Sequence, residues 1–359
     1  MVTSYLFYIG LALFCWLCAQ WANRYEKKRY VWLIIAALTL TAGLRGTSVG
    51  IDTANYLNLF RLIHNGLFHL AYGLETSFKI IVYGIMRVVP SEQFVIALLA
   101  FITNWCIIMR CWELRKVSSF SCMVLCYYMS FYFISLNAVR QFVAVGLLFY
   151  CSRYLEKKQI WRFILGAGLA TLFHRSAVIG FAMLAVNCLR WKELPRPQKM
   201  MYVMLVMAIP VLIMIALRVL ARYSKYLSNP SIDIGFMLLV KLLFLTASLV
   251  LVLFMFRAYR RYGQQQELDD DVLFQFWSVS IYYLVALLLA TMGYIFPMTS
   301  RISWYYYPFE GVYFGMLLKS KNKNNQVFYL LYFAFVIGYG FIYSMLNNSQ
   351  GTMPYVFAW

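Results

Sequence analysis

The chain is expected to be an all-α, polytopic transmembrane bundle of about twelve spans, and three observations carry that expectation. Hydrophobic residues make up 63% and charged residues only 13%, whereas soluble domains are nearer half apolar and a quarter charged. Apolar runs recur along the chain, many near the roughly 20 residues that a helix needs to cross a hydrocarbon core. Lysine and arginine collect in alternate short loops, the pattern that orients membrane proteins.

The first span covers residues 3 to 22 and ends in Arg24, Lys27, Lys28 and Arg29 rather than in a small-residue cleavage site, so it reads as retained. Further spans follow at 30 to 44, 92 to 112, 119 to 137, 139 to 152, 160 to 174 and 176 to 190. The remaining ones fall at 200 to 220, 236 to 256, 272 to 293, 304 to 318 and 327 to 346. Between the second and third, residues about 45 to 91 read as an outer loop with an interfacial helix. Lys79 and Arg87 interrupt its apolar run, and a span there would invert every later loop. The inner loop 257 to 271 runs from basic to acidic and reads as a solvated linker. No repeat of fixed period is visible, so residues 1 to 359 form one integral membrane domain.

With both termini outside, the inner loops hold 21 lysines and arginines and the outer segments ten, while Lys241 lies within a span. Cations between spans meet anionic lipid headgroups, which accounts for the net charge of +19 without nucleic acid. The eight cysteines lie mostly in apolar runs and read as packing residues; Cys15-x-x-Cys18 sits within a span with no histidine near it. Of three histidines, His64 and His69 fall in the interfacial stretch, so no cluster resembles a metal site. No cofactor is expected.

Eight of the ten outer cations are arginine. A guanidinium grips phosphate through a rigid fork, but an arginine at a span end also snorkels to lipid phosphate. Four lie at junctions beside polar groups. Arg45 opens Arg45-Gly46-Thr47-Ser48-Val49-Gly50-Ile51-Asp52, where Asp52 is either a base or a turn and cap residue. Arg140 stands between two apolar runs with almost no loop, which points it into the bundle. Arg301 precedes Trp304-Tyr305-Tyr306-Tyr307, an interfacial belt or a platform for sugar rings. His174 follows Phe173 and precedes Arg175; a neighbouring cation favours the neutral, proton-accepting imidazole. Lys241 and Glu310 lie within spans, where a mutual ion pair, a Glu310–Arg218 pair or an outward cavity would each accommodate them.

The segment from Arg45 to Tyr56, the Arg140-Gln141 junction, the Phe173-His174-Arg175-Ser176 junction and the stretch from Arg301 to Tyr305 together resemble the EpsG family. These are multispanning proteins of bacterial exopolysaccharide and capsule clusters, grouped with Wzy-type polymerases. The resemblance implies a plasma-membrane polymerase similar to C-type glycosyltransferases. It would move a growing glycan from undecaprenyl pyrophosphate to a sugar hydroxyl of an incoming lipid-linked repeat unit on the outer face. Its partners would be those lipid-linked oligosaccharides, membrane lipid, and the chain-length regulator and flippase of the same pathway. The Arg-x10-Gly pattern of some O-antigen polymerases is absent, since Cys151 stands eleven residues after Arg140 and Val186 eleven after Arg175.

A glycosyl pyrophosphate already carries its leaving group, so the catalyst must hold departing charge, orient the acceptor and remove its proton. In that scheme Arg45, Arg140, Arg175 and Arg301 clamp the pyrophosphate. His174 or Asp52 is the base, and Tyr56 and Tyr305 stack on sugars. Two rival classes remain: a lipid-linked oligosaccharide flippase, which would carry charge through the midplane and show paired halves, and a non-catalytic subunit, which would need no outward base.

Overall fold

The computed structural model describes residues 2–188, 270–294, 297–319 and 333–358, with shorter pieces between 238 and 250 and between 326 and 331. The spans expected at 200 to 220 and 236 to 256 fall wholly or largely outside these residues, as do Arg218 and Lys241. The chain divides into two compact units, one of Met1–Arg153, Trp161–Val178 and Phe314–Trp359, the other of Tyr154–Ile160 and Ile179–Tyr313. Every named element is helical.

Three helical runs are long and apolar enough to cross a membrane among the described residues: Val2–Tyr25, Glu92–Lys116 and Phe120–Asn137. Ile160–Phe173, Arg175–Val186 and Trp277–Met292 are shorter apolar helices. In the first unit, α1 (Val2–Tyr25) ends with Arg24 in its last turn, where a cation meets the negative end of the helix dipole. The second helix, α2 (Lys28–Gly43), buries Val31, Ile34, Ile35, Leu38 and Ala42, an i, i+3, i+4, i+7 stripe. It packs against α1 and against α5 (Glu92–Glu113). The Ser91 hydroxyl caps α5 by accepting from the Phe94 N–H at 3.2 Å, with Glu92 in the first turn.

The span expected at 119 to 137 is continuous but widened. Between α6 (Phe120–Tyr127) and α7 (Phe133–Asn137), residues Tyr128–Tyr132 form a π-helical turn. Two tyrosines from that turn reach neighbouring backbones, Tyr128 donating to Tyr8 O at 2.7 Å and Tyr132 to Leu38 O at 2.8 Å. After a break at Ala138, α8 (Val139–Glu156) runs through the core; Val143, Ala144, Val145, Leu148 and Phe149 are all fully buried. A helix apolar on all sides belongs at the centre of a bundle.

Residues 45 to 91 hold two short helices, α3 (Thr53–His64) and α4 (Thr76–Val88), where one was expected. The 13 residues of α4 extend about 20 Å, against roughly 30 Å of hydrocarbon. Its buried face is Phe78, Val82 and Met86, one every four residues. Then α9 (Ile160–Phe173) ends at His174.

The first unit has two polar ends joined by α5 and α8. At one lie the loop from Arg45 to Asp52, Glu75, the α7–α8 break, the end of α9 and the C-terminal tail, linked by hydrogen bonds. At the other, Glu113 pairs with Arg153 at 2.8 Å, and the Lys319 ammonium donates to the backbone of Arg115 and Lys116.

The second unit is built around α11 (Asp270–Met292), with α10 (Ala182–Cys188), α12 (Pro297–Ser303) and the first residues of α13 (Pro308–Lys319). Tyr283 stacks on Tyr313 at 4.8 Å between centroids, and Tyr282 donates to Met183 O at 3.2 Å. The expected start of a span at 304 moves to Pro308, whose fixed φ suits the first turn of a helix.

Candidate functional site

Arg140, His174 and the Arg175 backbone converge on one residue that did not stand out in the sequence. Glu75 is the last residue before α4, with extended backbone and 8% exposure. One carboxylate oxygen takes a close hydrogen bond from Arg140 Nη1. The other lies 3.0 Å from His174 Nδ1 and accepts the Arg175 backbone N–H at 3.3 Å. Three segments widely separated in sequence therefore share one carboxylate.

Local packing explains the meeting. The Ser77 hydroxyl donates to Leu172 O at 2.6 Å, and the Phe78 ring meets Phe173 at 6.3 Å, so the start of α4 docks on the end of α9. Lys79, which breaks the apolar run in the sequence, donates to Phe68 O at 2.7 Å and closes the loop leading into α4. Phe78 also lies under the Arg140 guanidinium, 5.7 Å from ring centre to Cζ, within cation–π range. Tyr56 packs on Phe60, which packs on Phe78, so an aromatic floor lies beneath the charges.

Electrostatics follow from this enclosure. Burial alone would raise the Glu75 carboxyl. The hydrogen bond from His174 and the charges of Arg140 and His174 outweigh it and bring the group down to about 2, so Glu75 is ionised throughout the physiological range. An ionised acceptor at Nδ1 requires the imidazole proton there. In the neutral ring Nε2 is then the lone-pair nitrogen; it has no hydrogen bond among the described residues, and the side chain is 26% exposed. Arg140 also donates from Nε to the Tyr56 hydroxyl at 3.4 Å, and its Nη2 has no protein acceptor among the described residues.

The other expected site residues fall as follows. Arg45 is 1% exposed and donates to Thr53 Oγ1 at 3.0 Å, Ala42 O at 2.7 Å and Leu136 O at 2.8 Å. Burial lowers its pKa to about 10, so it stays charged at neutral pH. All its nitrogens serve the backbone and Thr53, so in this structure its expected grip on pyrophosphate has no free donor behind it. Asp52 is exposed and caps nothing with its side chain; its backbone N–H donates to Asn137 Oδ1 at 3.3 Å and its carbonyl accepts from Tyr56 N–H at 2.9 Å. Tyr56 is 8% exposed beside Arg140. The Arg175 side chain is exposed, and its backbone alone meets Glu75. Arg301 is exposed on α12 of the second unit. Tyr305, expected to stack on sugars, lies in the same unit and is 0% exposed. Glu310 is buried at 2% on α13, and both cationic partners foreseen for it lie outside the described residues.

Long apolar helices, with ion-paired clusters at both polar ends of the first unit, define a helical integral membrane protein. The chain belongs to the EpsG family, whose model matches residues 28–357. It is thus an exopolysaccharide-related membrane protein. No curated protein and no solved structure matches it.

Proposed function

We propose that this protein is a Wzy-like polysaccharide polymerase, a membrane glycosyltransferase that moves a growing glycan from undecaprenyl pyrophosphate to a sugar hydroxyl of an incoming lipid-linked repeat unit. The observation that carries the proposal is the single carboxylate of Glu75 bound to both a guanidinium and an imidazole. In this reading the chain crosses the plasma membrane about twelve times, has both termini outside, and works at its outer face.

His174 Nε2 accepts the proton of the acceptor hydroxyl, whose oxygen attacks the anomeric carbon. The bond from that carbon to the pyrophosphate oxygen breaks, and its electron pair leaves with the lipid pyrophosphate. Glu75 holds the imidazole in the useful tautomer and stabilises the imidazolium that forms, the part a buried carboxylate plays behind a catalytic histidine. Arg140 Nη2 and the exposed Arg175 supply donors for the departing charge, a contribution of about 3 kcal/mol for each well-placed donor. Tyr56 borders the same cluster and is the sugar-contacting candidate. Arg301 belongs to the other unit, and no role at the Glu75 cluster is assigned to it. Asp52, in solvent, is the weaker base candidate.

The test replaces Arg140 or His174 with alanine, checks that the variant inserts, and analyses lipid-linked glycans by leaflet. The expected result is single repeat units on the outer leaflet and no long chains. Units trapped on the inner leaflet would identify a flippase instead, and normal polymer would identify a non-catalytic subunit.

A further inference from the structure

The segment after α14 (Tyr339–Leu346) is laced onto the loop that carries Arg45. Gly46 N–H donates to Val356 O at 2.8 Å, Ala358 N–H to Leu44 O at 3.0 Å, and Gly50 N–H to Gly351 O at 2.7 Å. An antiparallel bridge pairs Arg45 with Phe357. The register is set sterically as well. A Cβ on Gly46 would stand 2.8 Å from Val356 Cγ2, and one on Gly351 would stand 3.0 Å from Ile51. Gly50 and Gly351 sit at φ of +95° and +64°, where a side chain is strained. The tail is anchored from beneath too: Tyr8 donates to Thr352 O at 3.1 Å, Tyr355 N–H to Ser4 Oγ at 3.0 Å, and the Tyr355 hydroxyl to Thr41 O at 3.0 Å.

This lacing reaches Arg140 by three routes. Asn137 Nδ2 donates to the Gln350 backbone carbonyl at 2.9 Å and to its side-chain Oε1 at 3.0 Å, while Asn137 Oδ1 accepts from Asp52 N–H at 3.3 Å. Asn137 closes α7, and Arg140 is the second residue of α8, just past the break at Ala138. The same loop feeds directly into α3, which carries Tyr56, the neighbour of Arg140 Nε. Arg45 adds a third tie by donating to Leu136 O at 2.8 Å.

We infer that the C-terminal segment 350–358 is a positioning element of the site, holding Arg140 and Tyr56 in register through Asn137 and the 45–53 loop. Gln350, Gly351 and Asn137 are its positioning residues. The catalytic half of this inference rests on the polymerase reading; the structural half does not.

The experiment compares the full chain with Gly351→Val, with Asn137→Ala and with a chain ended after Ser349, each purified in detergent. Amide hydrogen exchange is followed over residues 45–56 and 136–142, with 92–113 as the internal reference, and polymer formation from lipid-linked units is assayed in parallel. Gly351→Val keeps the chain whole and so guards against loss of fold on truncation. Expected is exchange about tenfold faster in the two segments and unchanged in the reference, with kcat down about tenfold or more and KM for the lipid-linked unit changed less. Unchanged exchange in the two segments overturns the inference whatever the protein catalyses. Faster exchange with normal polymer formation overturns the positioning role. Normal polymer from Arg140→Ala, run alongside, would overturn the polymerase reading itself and leave the exchange result standing.

Discussion

Glu75 and His174 are 99 residues apart in sequence and 3.0 Å apart in space, joined through Nδ1 of the imidazole. The same carboxylate binds Arg140, so one buried negative charge orients an imidazole and a guanidinium together. Removing it therefore disturbs both groups at once.

Glu75→Gln is expected to abolish polymer formation and to cost about 3 kcal/mol of stability, since it leaves the largely buried Arg140 guanidinium without its counter-ion. The pH dependence has a definite sign. A carboxyl held at about 2 when folded, against an ordinary value of 4.5, contributes stability that is fully present above about pH 4.5. That contribution is lost as pH falls from about 4.5 to about 2. Unfolding of the detergent-solubilised protein across that range should show the wild type losing its advantage over Glu75→Gln. A constant difference between them would mean that the carboxyl is not held down by its partners.

Arg45 and Arg140 separate when each is changed to lysine. Arg45→Lys removes the fork that bonds Thr53, Ala42 and Leu136 in a site with 1% exposure, so the folded yield should drop, with a cost of about 3 kcal/mol or more. Arg140→Lys keeps the charge beside Glu75, so the protein should fold while polymer formation falls roughly 100-fold. Size-exclusion profiles and polymer assays on the two variants decide it. Soluble, well-folded Arg45→Lys with lost activity would return Arg45 to the phosphate clamp.

Asp52→Asn tests the choice of base. Asp52 is exposed and meets Asn137 and Tyr56 through its backbone alone, so this variant should retain polymer formation within about twofold. His174→Gln, which keeps a polar side chain but removes the titrating nitrogen, should lose 100-fold or more, on the order expected for a general base. Equal losses in the two variants would shift the proton-accepting role toward Asp52.

Much of this protein was readable locally. Membrane residence follows from summed hydropathy, a property each segment carries by itself, and the observed α1, α5 and the run Phe120–Asn137 lie close to the expected spans. Arg140, His174 and Tyr56 were also visible as polar residues at span junctions, because a charge beside an apolar run stands out in any order of the chain. Glu75 did not stand out. One acid ahead of Thr76 and Ser77 reads as an ordinary helix start, and its only distinguishing sign was its place in a stretch that also holds Arg45, Arg61, Lys79 and Arg87.

Packing decided the rest. Glu75 becomes a hub only because Ser77 and Phe78 dock α4 on the end of α9, and Arg45 becomes a fold residue only because α3, the α7–α8 break and the tail close around it. An arginine facing lipid, ligand or backbone has the same neighbours in sequence. What differs is which acceptors long-range contacts bring within about 3 Å, and no local pattern encodes that distance.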